Sequence, residues 1–404
     1  MKSVYNVLMH LSGPVLGLLG VFSPKMKAFV KGRKGLFEQL LKQMEGKSKV
    51  VWMHCASLGE YEQGLPVLEA IKTEYPDIYL VVSFFSPSGY EVKQKSSKAD
   101  VVTYLPLDTA ANAKRFLDIV KPELAIFVKY EVWPNLFFEI ERRAIPNLLI
   151  SALFRADQAF FKNRGKLLRK ALETLDWIFV QNKPSLALMR KEGFDNCSLS
   201  GDTRFDRVSR QIEQDNSLDF MEAFCNGTKN TLIIGSSWPE DEALFLDYLK
   251  TTTDLKALIA PHSMNEKAID KLQISLGSIA CRYTKASAED LSEARVLILD
   301  TVGYLSKVYS YGDLAYVGGG MGTSGLHNIL EAATFGLPIL IGKNYDGFPE
   351  AVKLRELAGL YSVTTADEFK EITDKLLTDA KFRDQTGMIS RHYVSSNAGA
   401  TKMI

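Results

Sequence analysis

Short runs of β-branched and aromatic residues alternate with stretches of helical periodicity along most of this chain. After Lys49 come VVWMHC, IYLVVSFF, VVTYLP, LAIFVKY, NLLISAL and WIFVQN, most of them separated by helix-like segments. Such runs are apolar on both faces, so they predict strands of a parallel sheet covered by helices. Between Ser200 and Asn230 the pattern turns polar and charged, and a second series then begins with TLIIGS, LKALIAP, RVLILD, LAYVGGG and PILIG. The expectation is an α/β protein with two Rossmann-like domains in tandem. Ligands in such sheets bind beyond the carboxyl ends of the strands, so two facing domains predict one deep cleft.

The amino-terminal pattern differs. From Val4 to Phe22 there is no charge with His10 neutral, and a helix of that length reaches about 28 Å, just enough to span a bilayer core. Gly13, Pro14 and Gly17 are expected to weaken or kink it. Lys25, Lys27, Lys31, Arg33 and Lys34 follow, and the first 34 residues hold no carboxylate. This reads as a retained segment, residues 1–34, held on the cytoplasmic face of a membrane by insertion and by attraction to anionic lipid. A cleaved signal peptide fits less well, because its basic region is a single Lys2 and no Ala-x-Ala site follows. A first core helix with a solvated basic tail is the plainer alternative.

At 404 residues the chain is too long for one ordinary core. A net charge of +1 lacks the basic excess of a nucleic-acid binder. Cys55, Cys197, Cys225 and Cys281 lie far apart with no Cys-x-x-Cys pair, which argues against a zinc site or a disulfide framework.

Candidate chemistry sits in the turns after strands. His54-Cys55-Ala56-Ser57-Leu58-Gly59-Glu60 leads from a strand to a carboxylate at a helix start. That position also suits the helix dipole, so catalysis and plain dipole stabilisation both stay open for Glu60. In Lys129-Tyr130-Glu131-Val132-Trp133-Pro134-Asn135, Pro134 opens the next helix, and Glu131 either acts or merely pairs with Lys129. Gly235-Ser236-Ser237 precedes a helix whose free N–H groups suit a phosphate. Gly318-Gly319-Gly320 leads to His327-Asn328-Ile329-Leu330-Glu331, where Asn328 and Glu331, one helical turn apart, suit a ribose, or Asn328 a cap. The run is neither a P-loop nor a dinucleotide fingerprint. His262 is a ligand contact or a surface histidine.

Taken together, Ala56-Ser57-Leu58-Gly59-Glu60, Ser86-Pro87-Ser88-Gly89, Glu131 to Asn135, Gly201 to Asp206 (GDTRFD), and His327 to Glu331 followed by Phe335-Gly336-Leu337-Pro338 resemble the 3-deoxy-D-manno-octulosonic acid (Kdo) transferases of the lipopolysaccharide inner core. The resemblance covers nearly the whole chain. It implies a GT-B architecture with a membrane-associated segment at 1–34, an acceptor domain at 35–205, a donor domain at 206–385, and a C-terminal helix at 386–404 returning toward the first domain. It also implies CMP-Kdo as donor, the lipid A disaccharide precursor (lipid IVA) as acceptor, the cytoplasmic leaflet of the inner membrane as location, and no metal or cofactor.

Carried over by position, Glu60 falls on the general base, and Glu131 and Arg204 near positions that stabilise the transition state. Ser236, Pro261, His262, Val302, Gly303, Tyr304, Asn328, Ile329, Leu330 and Glu331 fall on donor-binding segments. Lys129 stands where many relatives carry an acid, Pro261-His262 stands where many carry a basic-His pair, and Arg204 replaces a frequent lysine. Two rival readings remain: a GT-B enzyme of UDP-linked sugars, and a non-catalytic membrane-bound nucleotide sensor.

Overall fold

A computed structural model describes residues 2–404. They form two compact units, one reaching to Arg207 and including Ala398–Ile404, the other Val208–Asn397.

In the first unit α1 (Lys2–Phe22), α2 (Pro24–Gly32) and α3 (Leu36–Met44) precede β1 (Val50–Cys55). The chain then alternates through α4 (Leu58–Glu74), β2 (Tyr79–Phe84), α5 (Pro87–Lys93), β3 (Val101–Tyr104), α6 (Ala110–Val120), β4 (Leu124–Val128), α7 (Pro134–Arg142) and β5 (Asn147–Ala152). β6 (Trp177–Val180) and β7 (Cys197–Leu199) complete a parallel sheet in the order β3-β2-β1-β4-β5-β6-β7. β1 is buried along its whole length, as a run apolar on both faces requires. Trp52 packs on Phe116 and Phe127 with ring centroids 4.9 and 5.3 Å apart, and Met53 and Cys55 face the opposite core beside Tyr61. Each such side chain contributes roughly 1.5–3 kcal/mol by leaving water. β1 and β4 are neighbours, but the chain leaves β1 toward β2 and leaves β4 toward β5, on opposite sides. This reversal opens a crevice at their carboxyl ends.

The second unit repeats the plan. β8 (Thr231–Ser237), β9 (Lys256–Pro261), β10 (Ala280–Arg282), β11 (Val296–Ile298), β12 (Leu314–Val317), β13 (Ile339–Ile341) and β14 (Leu360–Ser362) form a parallel sheet ordered β10-β11-β9-β8-β12-β13-β14. Its reversal lies between β8 and β12. Phe245, Tyr248, Tyr316 and Phe369 interlock over one face at centroid distances of 5.6–6.2 Å. β7, β10 and β14 have no counterpart among the predicted strands. Unlike the equally short β11 (VLI) and β13 (ILI), their residues CSL, ACR and LYS form no apolar run.

α1 is helical from Lys2 to Phe22, with Pro14 inside it. One expectation for the amino terminus is corrected. Arg33 does not join the exposed Lys25, Lys27, Lys31 and Lys34; it turns inward. Ser23 caps α2, Pro24 begins it, and the helix delivers Arg33 to three carbonyl oxygens, those of Phe29, Phe85 and Leu105, at 3.1, 2.8 and 2.9 Å. α1 itself is long and apolar enough to cross a membrane. Val7, Leu8, Leu11, Leu18, Val21 and Phe22 are all exposed on it, Phe22 by 80%.

The last residues belong to the first unit. The helix Ala400–Met403 packs on α4, and Asp206 accepts from the N–H groups of Gly399 (2.6 Å) and Thr401 (3.0 Å). Asp206→Ala leaves both donors without this acceptor and is expected to cost about 1–2 kcal/mol. Amide exchange should accelerate at Gly399 and Thr401 first; unchanged protection there would contradict this role for Asp206.

Candidate functional site

At the β1/β4 crevice the structure brings Glu60 and Glu131 together. Ser57 is the N-cap of α4, and Glu60 completes a capping box: its N–H meets Ser57 Oγ at 3.4 Å while its Oε2 accepts from the N–H groups of Ala56 (2.5 Å) and Ser57 (3.3 Å). The capping alternative is therefore real, but it occupies one oxygen only. Oε1 takes no hydrogen bond from the described residues. Burial pushes the Glu60 carboxyl above the ordinary range, against the pull of the Ala56 N–H and the Lys129 charge. Glu131 is raised further, to about 7, first by burial and then by repulsion from Glu60. Ionised Glu60 thus makes ionisation of its neighbour harder.

β1 and β4 hold the surroundings of this pair. His54 is fully buried, bonded through Nδ1 to Ser83, and pushed down to about 3 by desolvation, so it is neutral. Its Nε2 lies 4.0 Å from Glu131 Oε2, a polar contact rather than an ion pair. Lys129 adopts φ 73°, a left-handed conformation rare for a side-chain-bearing residue, as the chain turns out of β4. Its ammonium is close enough to lower Glu60, so Lys129 supplies charge where an acid was expected in relatives.

The GDTRFD segment is anchored to the same framework. Thr203 Oγ1 donates to the Gln63 carbonyl of α4 at 2.6 Å and meets Ser151 Oγ at 2.8 Å. Ser151 itself sits at φ 51° in an irregularity at the end of β5. Arg204 is one residue on and is paired with Asp202, Nη2 to Oδ2 2.7 Å, so it is held rather than free. Glu131 does not pair with Lys129 in a salt bridge; its charged neighbour is Glu60.

In the second unit the candidate residues surround the β8/β12 reversal. Ser236 adopts φ 55° at the end of β8. The helix Pro239–Thr251 places Asp241, fully buried, under the glycine-rich turn: it accepts from the N–H groups of Gly319 (2.8 Å) and Met321 (3.3 Å) and from the Tyr316 hydroxyl (2.8 Å). Gly318 needs its missing side chain, because a Cβ there would stand 2.3 Å from the Ser236 carbonyl oxygen. Pro261 ends β9, and His262 stacks on Trp238 at 4.6 Å and lies 4.4 Å from His327. Trp238 Nε1 donates to His327 Nε2 at 3.0 Å. Val302 is exposed, Gly303 takes φ 100°, and Tyr304 joins Phe220 and Tyr283 in a ring cluster at 5.5 and 5.8 Å. Asn328 Nδ2 bonds Glu331 Oε1 at 3.3 Å and its Oδ1 accepts from Leu330 N at 3.2 Å. The side chains of Ile329 and Leu330 are in the core, so their reach toward any ligand is through main-chain atoms alone.

The first unit nearly coincides with a match to the family model described as 3-deoxy-D-manno-octulosonic-acid transferase (kdotransferase), which covers residues 30–207. The 3-deoxy-D-manno-octulosonic acid transferase of Haemophilus influenzae is 26% identical over 403 residues, 96% of this chain and 92% of that protein. Over the first unit this chain matches the Kdo transferase family model, and over most of its length it is similar to a Kdo transferase. Among solved structures, UDP-GlcNAc 2-epimerase of Neisseria meningitidis superposes with a TM-score of 0.63 at 16% identity, covering 88% of this chain and 98% of that one. MurG of Acinetobacter baumannii gives 0.53 at 12% identity, covering 88% and 98%. These likenesses show the fold alone: two Rossmann-like sheets, as the strand pattern predicts, of the GT-B-like class that the resemblance implies.

Sequence reasoning missed Asp241, Trp238 and the inward Arg33. Asp241 follows Trp238-Pro239 directly after a strand-end Gly-Ser-Ser, and an acid at the third position of a helix opened by proline was the available signal. The stack of Trp238, His262 and His327 joins three separate strand ends and has no signature in sequence.

A raised carboxyl pKa carries a stability consequence. Glu131 is protonated in both folded and unfolded chains below about pH 4, so its buried neutral form is undisturbed there. As pH rises through about 7 the folded chain must ionise a group that the unfolded chain ionised earlier, and stability falls by on the order of 3 kcal/mol. Glu131→Gln is expected to melt higher than the parent at pH 8 and equally at pH 4. A parent-like melting temperature at pH 8 would contradict the burial of this charge.

Proposed function

We propose that the chain transfers Kdo from CMP-Kdo to a primary hydroxyl of the lipid A disaccharide precursor by a metal-independent inverting displacement at the inner leaflet. The convergence of Glu60 and Glu131 at the β1/β4 reversal carries this reading. Glu60 receives the hydroxyl proton as the acceptor oxygen forms its bond to the anomeric carbon. The bond from that carbon to the CMP phosphate oxygen breaks on the opposite face, and its electron pair leaves with CMP. Glu131 and Arg204 stabilise the charges that develop, with Arg204 oriented by Asp202.

The donor side uses the second unit. The proposed contacts are Ser236, Pro261, His262, Val302, Gly303, Tyr304, Asn328 and Glu331, with the main chain of Ile329 and Leu330. Main-chain N–H groups at strand ends suit a phosphate, and the Trp238-His262 stack offers a ring face to a base. α1 and the exposed lysines that follow bring the enzyme to an acceptor that stays in the bilayer.

Glu60→Gln is expected to keep CMP-Kdo binding and lose at least about a hundredfold in turnover. Near-normal turnover would remove Glu60 from the mechanism. Because burial raises Glu60, the acidic limb of kcat/KM should lie above the range of an exposed glutamate; a limb at the ordinary value would mean that another group is the base. Activity should survive chelator in a purified assay. Equilibrium binding of CMP against UDP separates this reading from a UDP-sugar enzyme.

A further inference from the structure

The helices expected to act as a tether contact residues that in turn hold the segment following Glu131. Two contacts do this independently. The Tyr5 hydroxyl of α1 donates to Asp108 Oδ2 at 2.8 Å. Asp108 is itself buried and accepts from the first N–H groups of α7, Asn135 N at 2.9 Å to Oδ2 and Leu136 N at 2.9 Å to Oδ1, while Asn135 Nδ2 donates to its carbonyl at 2.6 Å. Asp108 thereby fixes where α7 begins, directly after Glu131-Val132-Trp133. Lys2 adds a contact of its ammonium with the Phe138 ring of α7, 4.6 Å from the centroid.

The second contact comes from α2. The Arg33 guanidinium donates to the Phe85 carbonyl and lies over the Phe29, Phe85 and Tyr104 rings at 3.6, 4.9 and 4.8 Å. Phe85 in turn packs on Trp133 at 4.6 Å. Carbonyls and rings, not a carboxylate, hold this cation.

We infer that Tyr5 and Arg33 are positioning residues for Glu131, so that the amino-terminal helices form a structural wall of the carboxylate site and not only its attachment to a membrane. Tyr5 acts through Asp108 and the start of α7; Arg33 acts through Phe85 and Trp133. The inference rests on the proposed catalytic role of Glu131 for its kinetic consequence only.

Besides burial, Glu60 on α4 raises Glu131 and the Trp133 side chain lowers it. Around them, His54 and Cys55 on β1 lie beside Glu131, Lys129 at the end of β4 acts on Glu60, and Arg33, just past α2, is felt at His54. A displaced loop changes its distance to all of them, which a simple loss of membrane affinity does not.

The test uses the full chain in detergent micelles with Tyr5→Phe and Arg33→Lys. The first removes a hydroxyl and preserves the apolar helix; the second keeps a cation but loses the planar fork that grips more than one carbonyl. Glu131 is followed by carboxyl-carbon NMR titration, assigned by its loss in Glu131→Gln. Turnover is measured with CMP-Kdo and detergent-dispersed acceptor, and binding with vesicles containing anionic lipid. Both variants are expected to displace the Glu131 titration midpoint and to lower kcat about tenfold, with KM for CMP-Kdo and vesicle binding unchanged. Variants whose titration and kcat match the parent would overturn the inference. So would variants that lose vesicle binding while the titration stays put, since the helices would then be a tether alone. The titration arm needs no turnover, so it decides the matter even if the reaction is a different one.

Discussion

Two carboxylates brought close together out of water resist being ionised at the same time, and the organisation of the first unit centres on holding Glu60 and Glu131 in that position. Their adjacency follows from the strand order: β1 and β4 are neighbours whose connections run to opposite sides, so the turns after them meet with no helix between. Desolvation raises both groups, and repulsion from Glu60 raises Glu131 further, to about 7, where a carboxylate accepts a proton usefully near neutral pH.

Other buried carboxylates in the same molecule have the opposite character. Asp108, Asp206 and Asp241 each gather two or more main-chain N–H groups from segments distant in sequence. Asp108 fixes the start of α7, Asp206 ties the carboxyl-terminal residues to the first unit, and Asp241 supports the glycine-rich turn after β12. A carboxylate whose oxygens are occupied by fixed donors is a cross-link. One with an oxygen to spare, as Glu60 has, is available for chemistry.

The amino-terminal helices join these two themes. Their outward surface is apolar or lysine-rich, suited to a bilayer and its anionic headgroups, while Tyr5 and Arg33 point the other way into the structure around Glu131. The same short segment therefore presents two different surfaces from opposite faces of its helices. That division follows from helical periodicity, which sends residues a few positions apart to different sides.

Much of this was legible in the chain. Apolar runs long enough to cross a sheet announced eleven strands and their parallel arrangement, and strand-end clusters of small, acidic and aromatic residues marked where chemistry sits. Glu60, Glu131 and the glycine-rich turn were found this way because turns after parallel strands are the few places where polar residues are not needed for solubility. The partners of those residues were not legible. Whether Glu131 faced Lys129 or Glu60 depended on the backbone turning left-handed at Lys129, and whether Arg33 faced lipid or core depended on where α2 ended. Strand identity is a local property, written in the period of a few residues. Pairing among side chains is set by which segments, tens or hundreds of residues apart, the sheets bring to the same end, and no local pattern records it.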